Sequence, residues 1–421
     1  MLKIKAINGV KDILPAEIMY WQKIEKTACD IFRRFGIHEI RLPILEKTEL
    51  FSRSIGETTD IVEKEMYTFV DKKITLRPEI TASLLRAYVE HSLHLQQPVQ
   101  RLFSIGPVFR HERPQKGRQR QFHQIDVEII GAHEPQVDAE LMAMGQMLFN
   151  ALSLDVRLEI NSLGCPACRP GFRNKLIAYL QACSDSLCDD CKRRTAKNPL
   201  RALDCKKQGC KAAVEHAPSI LDNLCSACEE HFSAVQQQLD LFEVSYNVNR
   251  FMVRGLDYYN RTTFEFLTAD LGAQAAVAAG GRYDGLVEQL GGPKKTPGIG
   301  FALGMERLFL LMQQQEKQQD QPKGQGGADI FLAALGEQAI RFASPLVHQL
   351  RHLGLQAVMD YSNRSLKAQM KQAGRCHADF TLIIGEQEIE QGRGILRNMN
   401  TQEQTEFSFN RGAAALAEVI A

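Results

Sequence analysis

Three things are scarce in this sequence. There is no run of about 18 apolar residues, so no membrane-spanning helix and no membrane partner are expected. The first 21 residues, MLKIKAINGVKDILPAEIMYW, lack the apolar core of a secretory signal. Net charge is nearly absent: 51 Lys and Arg stand against 50 Asp and Glu, leaving +1. Bulk charge therefore does not announce a nucleic-acid partner, although a local basic patch remains compatible with it. The expectation is a cytoplasmic protein. In that compartment the 11 cysteines are expected to be reduced thiols rather than disulfides.

What is present is ordinary in bulk. A chain of 421 residues predicts two or three domains. Its 44% hydrophobic and 24% charged residues suit a globular protein with a sizeable core. Ile18, Trp21, Ile24, Ala28, Ile31 and Phe35 recur at helical steps, with Gly36 as a stop, and predict a core-facing helix over 15–35. Leu141, Met144, Leu148 and Leu152 do the same over 138–152. The alternating runs RLFSIGPVFR (101–110) and RQFHQIDVEIIG (120–131) predict an antiparallel hairpin with a long, charged, mobile tip. Residues 165–231 hold most of the cysteines and read as an inserted module. QQQEKQQDQPKGQGGA (313–328) is almost free of hydrophobes and reads as a linker. Beyond it, ADIFLAAL, GLQAVMDY and ADFTLIIG alternate with helical segments and predict a small α/β domain with a largely parallel sheet.

Period two places Phe122, Gln124, Asp126 and Glu128 on one face of their strand and Ile125, Val127 and Ile129 on the other. On the partner strand Ser104, Gly106 and Arg110 share a face. Together these strips form the floor of a site. The loop between the strands carries Arg113, Lys116, Arg118 and Arg120 with one carboxylate, Glu112, which favours phosphate contact. In LRPEITASLL (76–85), Glu79 and Thr81 stand at a helix mouth behind Pro78. Glu79 either caps the helix or receives an ammonium. AAGGRYDGL (278–286) joins glycines that permit close backbone approach to Arg282, Tyr283 and Asp284. Arg307, on the helix of TPGIGFALGMERLFLLM, is flanked by core residues and needs a partner, either a triphosphate or a buried carboxylate. RGLDYYNRTTFEF (254–266) combines an arginine and paired tyrosines at the head of a strand, which suits a polar and partly aromatic ligand.

These stretches carry a resemblance. FRHERPQKGRQRQFHQ resembles motif 2 of the class II aminoacyl-tRNA synthetases in its histidyl form, GIGFALGMERL resembles motif 3, and RLPILEKTELFSRSIGE resembles motif 1. RGLDYYNRTTFEF and AGGRYDGL resemble the two signature motifs of the histidyl-tRNA synthetases. The resemblance runs from about residue 5 to the C-terminus. It implies an α+β catalytic core, an antiparallel sheet flanked by helices, over 1–326. That core would hold a mostly helical, Cys-rich insertion at about 165–245 and a linker at about 313–327. A C-terminal α/β anticodon-binding domain would follow over 327–421.

The implied function is histidine–tRNA ligation with ATP and Mg²⁺: histidyl-adenylate and pyrophosphate form first, and histidine then passes to tRNA(His). The alternative is a non-catalytic regulatory paralogue that serves ATP phosphoribosyltransferase. By the resemblance, Arg254, Arg110 and Arg307 are catalytic, and Arg110, Phe122, Arg118 and Arg307 bind ATP. Glu79, Thr81, Gln124, Glu128, Tyr258, Tyr259 and Tyr283 bind L-histidine, with Tyr283 closing the pocket. Arg113 and Gln115 approach the tRNA acceptor end. Motif 1 implies a homodimer. Ile80 stands where the family often has glycine. In the C-terminal part, Arg364, Lys367, Lys371, Arg375, Arg393 and Arg397 are either phosphate contacts or a solvated face.

The cysteines fall in pairs: Cys165 with Cys168, Cys188 with Cys191, Cys205 with Cys210, and Cys225 with Cys228. The first two pairs, 19 residues apart, fit a four-cysteine zinc site. Cys205, Cys210, Cys225 and Cys228 are further candidates, and eight cysteines suffice for two sites. Reduced, partly buried thiols are the alternative.

Overall fold

A computed structural model of the chain describes residues 4–56, 59, 61–256, 258–271, 276–318 and 327–420. It divides into two compact units, Met1–Gln319 and Asp320–Ala421. The strands of the first unit are β1 His38–Glu39, β2 Leu45–Lys47, β3 Tyr67–Phe69, β4 Ile74–Leu76, β5 Gln100–Phe109, β6 Gln121–Ile130, β7 Arg157–Ser162, β8 Tyr246–Val248, β9 Asn260–Leu267, β10 Ala276–Arg282 and β11 Gly298–Gly304. Its helices are α1 Pro15–Arg34, α2 Thr48–Ile55, α3 Thr81–Glu90, α4 Pro135–Ala151, α5 Arg169–Ala182, α6 Asp189–Lys197, α7 Leu200–Leu203, α8 Gln208–Val214, α9 Ser226–Leu241, α10 Leu286–Gln289 and α11 Met305–Gln318. Among the described residues no helix is long and apolar enough to cross a membrane.

The alternation of the two long runs gives the hairpin it predicts. β5 and β6 pair antiparallel, with Ser104 opposite Asp126 and Gly106 opposite Gln124. Opposed residues in such a pair share a face, so small side chains flank the acidic strip. The tip, residues 110–120, is as long as expected but contains a local turn. Gln115 and Arg118 form a bridge around Lys116 and Gly117, whose φ of +74° suits glycine. The sheet runs β1-β5-β6-β11-β10-β9-β7-β8. Its body is antiparallel, and the edge pairs β1–β5 and β7–β8 are parallel.

One face of this sheet lies under α1, α4, α9 and α11. The core between them holds Trp21, Phe32, Phe149, Leu239, Phe264, Phe266, Phe301 and Leu308, with Ile125, Val127 and Ile129 from β6. Each such side chain contributes about 1.5–3 kcal/mol when fully buried, so the apolar face of β6 anchors the strand while its polar face stays free for chemistry. In α1 the buried stripe is Trp21, Ile24, Ala28, Ile31 and Phe32, and Ile18 at its start is partly exposed. A separate three-stranded sheet, β2-β4-β3, carries α2 and leads into α3. The insertion is helical as expected, α5 to α9, around Phe172, Leu176, Leu180 and buried cysteines. The predicted linker is corrected at its start: α11 continues to Gln318, because Gln, Glu and Lys are good helix formers. The rest of that stretch, 319–326, lies outside the described residues.

The second unit contains β12 Ile330–Ala334, β13 Ala357–Met359, β14 Phe380–Ile384, β15 Arg393–Asn398 and β16 Gln404–Ser408, with helices α12 Glu337–His352 and α13 Leu366–Arg375 among them. The sheet order is β13-β12-β14-β15-β16. Only β13, β12 and β14 are parallel, whereas β15 and β16 add antiparallel. The expected largely parallel sheet is therefore mixed. The two added strands are half exposed and carry few apolar residues, so they lack the strand signal of the first three.

A buried ionic knot fastens α4 to the sheet and the insertion. Asp138 of α4 accepts from Arg282 Nε at 2.8 Å and contacts His231 Nε2 of α9 at 2.9 Å. Asp138 and Arg282 are fully buried, and Arg282 also donates to the carbonyls of Ala132 and Glu134. Burial opposes ionisation of Asp138, but Arg282 and His231 outweigh it and hold its carboxyl below the usual range. Its stabilising contribution is therefore present above the unfolded carboxyl pKa and is lost as pH falls through the lower native value. Replacing Asp138 with Ala leaves Arg282 buried and uncompensated, and should cost about 3–5 kcal/mol in chemical denaturation. A loss below about 1 kcal/mol would contradict this reading of the knot.

Candidate active site

The polar face of the central strands lines a pocket of about 210 Å³. It gathers Glu79, Thr81, Arg110, Arg118, Phe122, Gln124, Glu128, Arg254, Tyr258, Tyr259 and Arg307 from six separate stretches of chain. Period two delivers Phe122, Gln124 and Glu128 to this wall.

The deep end is acidic. Glu79 uses one oxygen as a helix cap, accepting from Ala82 N at 2.9 Å, and its Oε2 is buried without a protein partner. The capping reading thus holds for one oxygen, and the other is left without a protein partner. Asp126, also on this wall, accepts from Thr81 Oγ1 at 3.4 Å through Oδ2, while its Oδ1 and the Gln124 Oε1 are likewise unpartnered. Asp126 is the residue that sequence reading left without a role. Its place in the alternating strip was the available signal. Glu128 accepts from Tyr283 Oη at 2.5 Å. Burial raises the pKa of Glu79, Asp126 and Glu128, and for Asp126 the neighbouring Glu128 and Glu79 add to the rise.

Tyr283 differs from its expected position. It does not line the pocket; it is buried behind Glu128 and fixes that carboxylate from the rear. Two glycines of β11 make this possible. A Cβ on Gly300 would stand 1.7 Å from Glu128 Oε2, and one on Gly298 would stand 2.1 Å from the Tyr283 ring. Ile80 fits without difficulty: it is buried, with φ −99°, which any residue adopts.

The outer end is cationic. Arg110 donates to the Pro78 carbonyl at 2.9 Å and lies 5.3 Å from the Phe122 ring. Arg118 pairs with Glu112. Arg307 donates to the carbonyls of Gly117 and Ala276, and burial lowers its pKa, with Arg118 and Arg110 adding to the effect. Arg254 pairs with Glu265 of β9 at 2.5 Å and lies 5.2 Å from the Tyr259 ring, and its buried Nε has no partner. Burial opposes its charge, but Tyr259 and Glu265 outweigh that. Tyr258 and Tyr259 stack at 4.5 Å between ring centres, and both phenol pKa values are raised, chiefly by burial. Asp257, between Leu256 and these tyrosines, lies outside the described residues, as does Glu57 at the end of the motif 1 stretch.

Arg113 and Gln115 are exposed on the β5–β6 turn, outside the pocket. Arg120 is not a pocket cation. It donates to the Asn8 and Glu112 carbonyls.

The cysteines form two clusters, but not with the expected pairing. Cys165 and Cys168 meet Cys225 and Cys228, while Cys188 and Cys191 meet Cys205 and Cys210. Proximity in sequence favoured joining the first two pairs, whereas the fold places α5 against the start of α9 and turns α6–α8 back on themselves.

Asp126→Asn tests the electrostatic account. A carboxyl with a raised native pKa holds more protons folded than unfolded, so it lowers stability as pH rises from about 4 through its native value. The amide removes that cost. We expect the variant to be more stable than the parent by about 1–2 kcal/mol at pH 8, with the gap closing toward pH 4–5 in thermal unfolding. A variant less stable at pH 8 would refute the account.

Comparison with known proteins agrees in extent and kind. A family model described as "Histidyl-tRNA synthetase" matches residues 9–308, and one described as "Anticodon binding domain" matches 329–418. The histidine–tRNA ligase of Desulfotalea psychrophila is 60% identical over 99% of this chain and 96% of its own length. That of Geobacter sulfurreducens is 54% identical over 96% and 97%. The crystal structure of apo histidyl-tRNA synthetase from S. aureus superposes with a TM-score of 0.80 at 36% identity, covering 99% of this chain and all of that one.

Proposed function

The chain belongs to the histidyl-tRNA synthetase family, and we propose how its own side chains divide the work. The reaction is histidine–tRNA ligation. A carboxylate oxygen of histidine attacks the α-phosphorus of ATP and pyrophosphate leaves. A terminal ribose hydroxyl of tRNA(His) then attacks the carbonyl carbon and AMP leaves. Both steps depend on positioning and charge neutralisation.

The observation that carries the assignment is one pocket with opposite ends, acidic where the polar strip is deepest and cationic where the phosphates belong. The α-ammonium is assigned to Glu79 Oε2, Thr81 and Gln124, with Asp126 behind them. The imidazole is assigned to Glu128, set from behind by Tyr283, together with Tyr258 and Tyr259. A neutral imidazole needs one donor and one acceptor, and a phenol with a carboxylate supplies them. Phe122 offers its ring to adenine beside Arg110. Arg110 and Arg254 take the α-phosphate, and Arg118 and Arg307 the outer phosphates. Mg²⁺ would accompany the triphosphate and supply further neutralisation, with Glu112 and Glu306 as the lining oxygen donors.

The exposed β5–β6 turn, with Arg113 and Gln115, is assigned to the acceptor end of the tRNA. Residues 1–326 form the catalytic domain and 327–421 the anticodon-binding domain in this reading. There Lys367, Lys371 and Arg375 lie exposed at helical spacing on α13, the best-formed basic stripe of the unit. Arg364 and Arg393 are already paired, with Asp360 and Glu406. Zn²⁺ is assigned to each cysteine cluster. Thiolates are soft ligands, and Cys165 Sγ lies 3.6 and 3.8 Å from Cys168 and Cys225 Sγ, and Cys188 Sγ 4.0 Å from Cys205 Sγ, against about 3.8 Å in a tetrahedron of 2.3 Å Zn–S bonds. A homodimer through the motif 1 region is supported by the exposed Ile44, Leu45, Phe69 and Val70 on and beside the three-stranded sheet. Sedimentation at micromolar concentration should give twice the chain mass, and a monomer would contradict it. The regulatory paralogue is not retained: the full-length relatives are named as ligases, and Arg110, Arg254 and Arg307 all enter one pocket.

The functional test is histidine-dependent ATP–pyrophosphate exchange paired with Arg254→Ala. Exchange should require histidine among the amino acids. The variant should lower the single-turnover rate of adenylate formation about 10²–10³-fold with histidine affinity within about threefold. A variant that loses only affinity would remove Arg254 from the chemistry.

A further inference from the structure

Two arginines of the insertion reach the loop that carries Arg254, Tyr258 and Tyr259, and each sits beside a cysteine cluster. Arg169 follows Cys168 of the first cluster directly. It donates to the carbonyl of Tyr259 through Nη2, and to that of Leu163 at 3.4 Å through Nε. Arg201, in α7, lies four residues before Cys205 of the second cluster and donates to the Gly255 carbonyl at 2.6 Å through Nη2. One tether thus holds each end of the loop. Between the clusters and the loop, Phe251 and Val253 pack against the insertion core, and Leu256 packs against Leu50, Phe51 and Ile55 of α2.

The insertion fixes Arg169 at the head of the 14-residue α5 but gives Arg201 little beyond the second cluster. Its helices α6, α7 and α8 are 9, 4 and 7 residues long, too short to hold shape unaided. Five of the 14 buried residues of the insertion core are cysteines. Backbone amides point at two of the sulfurs: Cys225 N at Cys168 Sγ and Cys188 N at Cys210 Sγ, each 3.2 Å. That is the outer shell expected around a thiolate that carries charge.

We infer that the two cysteine clusters act on the active site, with Arg169 and Arg201 as positioning residues that hold the histidine loop only while both clusters are metal-bound. The inference rests on the zinc assignment made above. Metal loss, by chelation or by thiol oxidation, then loosens the loop and Arg254 with it, while the other ATP-end cations, Arg110, Arg118 and Arg307, stand apart just past β5, on the β5–β6 turn and on α11.

The test uses the full-length, zinc-loaded protein. Zinc content, KM for histidine, KM for ATP and amide exchange of residues 254–260 are measured for the parent, Arg169→Met, Arg201→Met, Arg201→Lys and Arg173→Met. Arg173 donates only within the insertion, to the Ala196 carbonyl. The parent should hold two zinc ions. Each tether variant should keep them, raise KM for histidine about tenfold, speed exchange of the loop several-fold, and leave KM for ATP within about twofold. Arg201→Lys should recover part of the loss, and Arg173→Met should match the parent. Removing zinc from the parent should give the same signature as the tether variants. Two zinc ions with unchanged histidine KM and loop exchange in both Met variants would overturn the tethers and leave the zinc assignment standing. A parent without stoichiometric zinc would overturn the zinc assignment and the inference with it.

Discussion

Glu79, Asp126 and Glu128 are gathered at the bottom of one pocket, where the surroundings cannot solvate three negative charges. Burial penalises each charge most, and the neighbouring carboxylates add to that for Asp126 and, less, for Glu128. Keeping a proton is the smaller cost, and this is why these carboxyls titrate high. A ligand that brings its own cation removes the need for that proton. The pocket is thus completed by an ammonium group and a hydrogen-bonding ring, which histidine carries on one small frame. The guanidinium groups at the other end supply the opposite sign for phosphates. In the proposed reading, both ends line one pocket, so the reacting carboxylate and phosphorus would be brought together by the binding of their neighbours.

Much of the remaining structure keeps that arrangement in place. The apolar face of β6 is locked into the core by Ile125, Val127 and Ile129, so its polar face cannot slip register. Gly298 and Gly300 let Glu128 and Tyr283 approach the sheet more closely than any side chain would allow. The Asp138–Arg282–His231 knot ties α4, β10 and α9 together at the far end of β10, whose first residues line the site. Arg282 belongs to a signature stretch yet touches only protein, whereas Tyr283, next in sequence, reaches the site through Glu128. Neighbours in a motif can thus serve the fold and the chemistry separately.

The central hairpin is legible in the sequence because period two is a strong signal when one face is apolar and the other carries three polar side chains behind a phenylalanine. Gln124 and Glu128 are legible as pocket residues for the same reason, and Glu79 through its place at a helix mouth and the family resemblance. Asp126 shared that face and was passed over because no motif singled it out. Tyr283 was placed in the pocket wall because a motif gives membership of a site, not depth within it. The cysteine pairing was hidden because helices α5 to α9 decide which pairs meet, and spacing along the chain records only who is near in sequence. Strands β15 and β16 were missed because half-exposed strands carry little apolar alternation. The end of α11 was misread because glutamine-rich sequence suits a helix as well as a linker.

The most direct test of the carboxylate account is calorimetric titration of histidine into the protein at pH 7–7.5 in buffers of different ionisation enthalpy. Net proton release on binding is the predicted result, since the arriving ammonium and imidazole N–H stabilise the ionised form of carboxyls that are partly protonated beforehand. Asp126→Asn should release fewer protons. Binding with no proton exchange, or with proton uptake, would show that the acidic end is already ionised and would contradict the account.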